Sequence, residues 1–195
     1  MIYKCEEVGK VAPLVRDEFA VLPADTLYSL SISIFAKNSK NIFAIKGRSK
    51  NIPVPIGVKD IHMLEEIAEP VDLLYKILQK DWGYLITVVL KNKKVPEYLA
   101  TDTVGIRIPR NVYIKKVIEE VGPITITSAN LHGGKNPVSV NDAISQLKDL
   151  VNIYLDCGPC IGIPSTVIDL TDEMPKLIRS GAIPFEWVME LYGPK

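Results

Sequence analysis

Residues 104–130 run VGIRIPRNVYIKKVIEEVGPITITSAN, and the spacing of their apolar positions decides the class of fold. Val104–Ile108 is a short β-rich run. Ile114, Val117, Ile118 and Val121 then recur at i, i+3, i+4 and i+7, which puts four apolar side chains on one face of a helix. Asn111 is suited to cap that helix, because its side-chain oxygen can accept from an unpaired N–H of the first turn. Ile124–Thr127 returns to β-rich sequence. Strands interleaved with amphipathic helices are what layered α/β domains are built from.

The alternation extends in both directions. Further β-rich runs are Phe19–Leu22, Tyr28–Ile34, Pro55–Val58, Tyr84–Leu90, Val151–Leu155, Thr166–Leu170 and Lys176–Ile178. Ile61–Gln79 is expected to hold two helices broken at Glu69-Pro70, since the residue before a proline disfavours the helical conformation. Ala143, Ile144, Leu147 and Leu150 mark a later helix, capped by Ser139 or Asn141. The whole predicts one large mixed sheet with flanking helices. No internal repeat or linker divides the sequence, so a single domain over 1–195 is expected.

The chain's 195 residues include 23 Lys or Arg and 23 Asp or Glu, with 47% apolar and 24% charged residues. That composition belongs to a globular chain and not to a disordered one. Zero net charge excludes a domain that reaches nucleic acid through an overall positive field, but not a local charged site. Apolar runs such as Tyr84–Leu90 are too short for a membrane span of about 20 residues, so no membrane partner is expected. Met1–Lys10 shows no apolar stretch of the secretory type. Three cysteines (Cys5, Cys157, Cys160) without framework spacing fit a reducing, cytoplasmic compartment.

Charge is segregated along the chain. From Thr26 through Lys59 there are Lys37, Lys40, Lys46, Arg48, Lys50 and Lys59 and no acid. Residues 60–74 then hold Asp60, Glu65, Glu66, Glu69 and Asp72 and no Lys or Arg. Solvated faces of opposite sign account for most of these. Lys46 and Arg48 differ, because they flank a glycine ahead of a proline-bounded strand, a loop setting that often binds ligands.

Several chemistries are absent. No Walker A, Gly-x-Gly-x-x-Gly, His-Glu-x-x-His or Gly-x-Ser-x-Gly sequence occurs. His62 and His132 are the only histidines, which excludes a His-rich metal site. His62 falls in an acidic helical stretch and is expected at the surface, whereas His132 sits in a glycine-containing loop that could border a site. Cys157-Gly158-Pro159-Cys160 has the spacing of a redox dithiol. Its continuation, Ile161-Gly162-Ile163-Pro164, cannot form the helix that would lower the first thiol's pKa, so a turn with incidental cysteines is the favoured reading.

Six short polar segments carry more information: Pro23–Tyr28, Lys46-Gly47-Arg48, Val104–Pro109, Thr127–Asn130, Pro164–Asp169 and Leu177–Ala182. Arg107 lies inside an apolar strand, where burial is costly unless an anion or carboxylate pairs with it. Lys46, Arg48, Arg107 and Arg179 with three hydroxyl-rich loops could line one anion-binding cleft, since guanidinium forks and hydroxyls suit phosphate and carboxylate. A surface salt bridge is the alternative for each cation taken singly.

Taken in order, these segments resemble the YrdC family of L-threonylcarbamoyladenylate synthases, over roughly Glu18 to Pro184. The family's Pro-Thr-Asp-Thr-x-Tyr-Gly-Leu corresponds to Pro23-Ala24-Asp25-Thr26-Leu27-Tyr28-Ser29-Leu30. Its Lys-x-Arg corresponds to Lys46-Gly47-Arg48, its Ser-Ala-Asn to Ser128-Ala129-Asn130, its Ser-Thr-Val to Ser165-Thr166-Val167, and its Arg-x-Gly to Arg179-Ser180-Gly181. Departures are Ala24, Ser29, Ser49, a shortened Trp82-Gly83-Tyr84-Leu85-Ile86-Thr87, and Gly57 where many longer members carry a histidine. The longer members also have a linker and C-terminal domain, and a single-domain form is expected here.

The resemblance implies a twisted, mostly mixed or antiparallel sheet with flanking helices around a basic concave cleft. It implies a reaction of L-threonine, bicarbonate and ATP that gives threonylcarbamoyl-AMP and pyrophosphate. That product would serve tRNA modification through a separate transferase complex. By the family pattern Thr26, Arg107 and Ser165 meet threonine, with Arg107 on its carboxylate. Arg48, Thr103, Ser128, Asn130, Asn136 and Arg179 fall at ATP, and Lys46 and Arg48 take the catalytic role. Mg²⁺ is expected mainly through the ATP phosphates, with no dedicated metal site. A rival reading keeps the fold as a non-catalytic nucleotide- or RNA-binding module. The scarcity of aromatics near the basic run (Phe35 and Phe43) weighs against stacking on single-stranded RNA.

Overall fold

The computed structural model describes residues 1–49 and 53–193, so Lys50 of the basic stretch lies outside the described residues. Along the chain the elements are β1 (Ile2–Lys4), α1 (Val8–Val11), β2 (Ala20–Pro23), β3 (Tyr28–Ser31), α2 (Ile42–Lys46), β4 (Ile56–Gly57), α3 (Ile61–Ile67), β5 (Ala68–Glu69), α4 (Asp72–Leu78) and β6 (Ile86–Asn92). They continue as β7 (Thr103–Arg107), α5 (Val112–Val121), β8 (Ile124–Thr125), β9 (Thr127–Ser128), α6 (Val140–Leu147), β10 (Ile153–Asp156), β11 (Thr166–Asp169), β12 (Lys176–Arg179) and α7 (Phe185–Tyr192).

Two mixed sheets form where the sequence predicts one. The first has the order β1-β10-β2-β3-β9, and the second β12-β11-β6-β7-β4-β8 with β5 added against β6. The run 124–128 explains the division. Its first half pairs with β4 of the second sheet and its second half with β3 of the first. Between them the Ile126 N–H donates to the Pro55 carbonyl at 2.8 Å. A predicted single strand thus crosses from one sheet to the other, and a bridge between Ser33 and Ile124 ties the two.

The α5 expectations hold in detail. The Asn111 side chain accepts from the N–H groups of Tyr113 at 3.0 Å and Ile114 at 3.3 Å. Ile114, Val117 and Ile118 are fully buried against α1, β2 and the 12–16 turn. Each such side chain contributes on the order of 1.5–3 kcal/mol through removal of its surface from water. Ser139, not Asn141, caps α6: its Oγ accepts from Asp142 N at 3.2 Å while the Asp142 carboxylate accepts from Ser139 N at 3.0 Å. Leu150 departs from the predicted apolar face, because α6 ends at Leu147 and leaves Leu150 exposed. Two helices form as predicted, but α3 ends at Ile67, ahead of the predicted break at Glu69-Pro70, because Ala68–Glu69 pair with β6 as β5. The elements β1, α1, α2 and β5 are too short to carry a readable period, and α7, as long as α6, has no side-chain cap and fully buries only Val188.

The cysteine expectation needs correction. Parallel pairing of β1 with β10 sets Lys4 opposite Asp156, so the next residues, Cys5 and Cys157, lie side by side and form a disulfide. Register, invisible in the spacing, brings residues 152 positions apart together. Cys160 remains a free thiol, so Cys157 and Cys160 do not form the dithiol of a redox motif. Among the described residues no helix is long and apolar enough to cross a membrane.

Candidate active site

A cavity of about 600 Å³ is lined from both sheets, by Thr26 and Tyr28 beside β2–β3, Thr127 and Ser128 of β9, Thr87 of β6, Gly105 and Arg107 of β7, and Arg179 of β12. Its volume lies within the range of about 300–1,000 Å³ usual for small-molecule sites. Among the described residues, four cations line it (Lys46, Arg48, Arg107 and Arg179) and no Asp or Glu does.

Arg107 forms one end. It is almost wholly buried, and its guanidinium is held on three sides. Nε donates to the Tyr84 carbonyl at 2.9 Å, Nη1 to Thr26 Oγ1 at 2.7 Å, and Nη2 to Asp25 Oδ2 at 3.2 Å. Burial lowers its pKa, and Asp25 opposes that shift. A guanidinium has five N–H groups, so two remain, the number a carboxylate takes in a bidentate pair.

Lys46 meets the Ser128–Asn130 loop. Lys46 closes α2, and Gly47 follows in the left-handed conformation (φ 58°) that ends the helix without a Cβ clash. Lys46 is therefore helical, not in a loop as the sequence suggested. Its Nζ donates to the carbonyls of Ser128 and Asn130, the latter at 2.8 Å, and to Asn130 Oδ1 at 3.2 Å. Burial and then the nearby Arg48 push its pKa down to about 7. Ser128 Oγ donates to Asn130 Oδ1 at 2.7 Å, and Asn130 Nδ2 to the Gly134 carbonyl at 2.8 Å, so the loop is a small polar network closed on Lys46. Arg48 Nη2 donates to the Pro53 carbonyl at 3.2 Å, while its buried Nε has no hydrogen-bond partner. A buried, unpaired guanidinium N–H is costly, and an anion in the cavity would satisfy it.

Arg179 joins β12 to the serine loop: Nη2 donates to Ser165 O at 2.7 Å and Ser165 Oγ at 3.2 Å. Ser165 Oγ shares a 2.8 Å hydrogen bond with Thr87 Oγ1. Gly181 permits this closeness, since a Cβ there would overlap Pro164 O and the Ser165 backbone.

Of the residues singled out from sequence, Thr26, Lys46, Arg48, Arg107, Ser128, Asn130, Asn136, Ser165 and Arg179 all line this cavity, and His132 joins its rim. Thr103 does not. It opens β7 opposite Lys91, four residues from Arg107 and so about 13 Å away along the strand. His62 is exposed, as expected. Asp25 and Thr87 stood in motifs quoted from the sequence but received no role there, because their contacts depend on residues 82 and 78 positions away. Gly57 does not border the cavity; a Cβ there meets Ile126 at 3.4 Å and Ile118 at 3.6 Å. The free Cys160 thiol donates to the Ala24 carbonyl at 3.2 Å, and burial pushes its pKa up to about 11, which makes it a poor nucleophile.

Residues 13–181 match the Sua5/YciO/YrdC family model, described as "Telomere recombination". A Methanocaldococcus jannaschii relative is 32% identical over 189 residues, 93% of this chain and 90% of its own length. The threonylcarbamoyl-AMP synthase of Bacillus subtilis is 32% identical over 201 residues, and the match covers 96% of this chain but 57% of that protein. Among solved structures, P. abyssi Sua5 complexed with L-threonine superposes with a TM-score of 0.90 at 29% identity, covering 99% of this chain and 61% of that one.

Proposed function

The chain belongs to the Sua5/YciO/YrdC family, and from that premise we propose that it is a threonylcarbamoyl-AMP synthase acting on L-threonine, bicarbonate and ATP. The observation that carries the proposal is the convergence on one cavity of Lys46 and Arg48 with Arg107 and Arg179, from three distant parts of the sequence. Two chemically distinct ends support two anionic substrates. Arg107, with Thr26 and Ser165, offers a carboxylate site for threonine. Lys46, Arg48 and Arg179, with Ser128, Asn130 and Asn136, offer cations and neutral donors for a triphosphate.

The threonine amine, once deprotonated, forms an N–C bond to carbon dioxide with release of a proton, or to bicarbonate with cleavage of a C–O bond and loss of water, and gives a carbamate. A carbamate oxygen attacks the α-phosphorus, the bond to the β-phosphate oxygen breaks, and pyrophosphate leaves. Both partners are anions, so the protein's task is to hold them together and to neutralise charge on the departing group. Lys46 and Arg48 suit the second task, and no catalytic histidine is needed. Among the described residues the cavity wall has no carboxylate, which suits a magnesium ion held by phosphates and water. Such an ion would supply charge neutralisation at the phosphates. In this reading the product would pass to a separate tRNA-modifying transferase complex.

The test is pyrophosphate release from purified protein with MgATP, bicarbonate and L-threonine. Release that requires threonine and bicarbonate together is the expected result. ATP binding without such release would favour the nucleotide-binding module. Arg48→Ala should raise the ATP requirement and Arg107→Ala the threonine requirement, each by about tenfold or more, the scale of a lost charge-assisted hydrogen bond. Equal effects on both substrates would break the assignment of the two ends.

A further inference from the structure

Asp25 is one residue from Thr26 yet is not part of the cavity wall. Its side chain is 7% exposed, and it pairs with Arg107, which does line the cavity. The carboxylate does two things there. Oδ2 accepts from Arg107 Nη2 at 3.2 Å, and both oxygens accept from the Arg110 backbone N–H at 3.1–3.2 Å. The Arg110 guanidinium in turn lies 4.6 Å from the centroid of the Tyr84 ring, and the Tyr84 carbonyl accepts from Arg107 Nε. Asp25, Arg110, Tyr84 and Arg107 thus form a closed ring of contacts, with the guanidinium as the member that reaches the cavity.

We propose that Asp25 is a positioning residue for the carboxylate of the amino-acid substrate: it fixes the rotamer of Arg107 so that the two unused N–H groups face the ligand. This rests on the synthase reading for the identity of the ligand. The physical case is that a buried ion pair adds little net stability, because desolvation of both charges offsets their attraction. An unanchored arginine, by contrast, has several rotatable bonds and loses them only when the ligand arrives, which weakens binding. Thr26 accepts from Nη1 and Asp25 from Nη2, so the adjacent pair Asp25-Thr26 holds both terminal nitrogens of the guanidinium.

Steady-state pyrophosphate release by wild type, Asp25→Ala and Asp25→Asn tests this, with threonine and ATP varied in turn. Asp25→Ala should raise KM for threonine about tenfold, the loss of one charge-assisted contact's worth of anchoring, with KM for ATP within about twofold. Asp25→Asn keeps an oxygen for the Arg110 N–H but loses the charge that pairs with Arg107, and should raise the threonine KM by a smaller factor, about threefold. A threonine KM within about twofold of wild type in Asp25→Ala, or an equal rise for ATP, would overturn the assignment. If Asp25→Ala does not fold, Asp25→Asn alone decides it: a rise confined to threonine supports the proposal and equal rises overturn it. Absence of threonine-dependent release from wild type would sink the synthase reading. Calorimetric titration of L-threonine into wild type and Asp25→Asn then decides Asp25 separately, with weaker binding by the variant in support and equal affinity, or binding by neither, against.

Discussion

Lys46 donates to three oxygens and is nonetheless stripped of water, and the second effect wins in its titration, with a pKa pushed down to about 7. The sign of the consequence is fixed by linkage. Between about pH 7 and pH 10.5 the unfolded chain holds this proton and the folded chain does not, so this group's contribution to stability rises with pH across that window. A bound triphosphate would restore the charge. MgATP binding should therefore take up about one proton at about pH 8 and almost none at about pH 6, with affinity falling by up to about tenfold per pH unit above 7. Calorimetry in buffers of different ionisation heat measures the uptake. A constant affinity and no uptake between these pH values would remove Lys46 from the phosphate site. In sequence Lys46 and Arg48 were legible as candidates by their position around Gly47, but their difference was not. One ends a helix beneath the serine loop and the other keeps a buried, unpaired Nε.

At the scale of elements, β11 and β12 show why a short motif near the end of the chain matters to a site formed mainly elsewhere. Their antiparallel pairing sets Arg179 opposite Val167 and lays the Gly181 backbone against Pro164-Ser165, with Ala182 N donating to Pro164 O at 2.9 Å. Gly181→Ala would force these segments apart. A destabilisation of about 1–3 kcal/mol is expected from overpacking, along with weaker use of ATP and threonine as Arg179 and Ser165 lose their register. Chemical denaturation and the two KM values check this. A variant of unchanged stability and kinetics would mean that the loop yields without cost. Periodicity revealed α5 and α6 because each spans at least two turns with a buried face and a side-chain cap. The two-residue strands β4, β8 and β9 have no period of their own. They exist because neighbouring strands offer unpaired backbone groups, and that is a tertiary condition.

Across the whole molecule, the disulfide between Cys5 and Cys157 joins the first strand to the loop that contacts Tyr28 and Ala24 at the cavity. Tyr28 Oη donates to Gly158 O at 2.7 Å and accepts from Cys157 N at 3.0 Å. Cys5→Ser should lower stability by about 2–4 kcal/mol, as expected for closing a long loop. Wild type in a reductant should fall to the same denaturation midpoint. Identical midpoints for oxidised and reduced wild type would show that the bond does not form in solution.

The sequence by itself determined the α/β class, the positions of α5 and α6, and the cap of α5. Those properties are local: they follow from apolar spacing and cap chemistry within a few residues of each other. Only the tertiary structure decided that the polar segments meet at one cavity, that the sheet divides in two at Ile126, that Cys157 faces Cys5 and not Cys160, that Thr103 stays out of the cavity, and that Asp25 pairs with Arg107. Each of these depends on strand register between residues distant in sequence, and a shift of one residue in register would turn the side chains concerned to the opposite face.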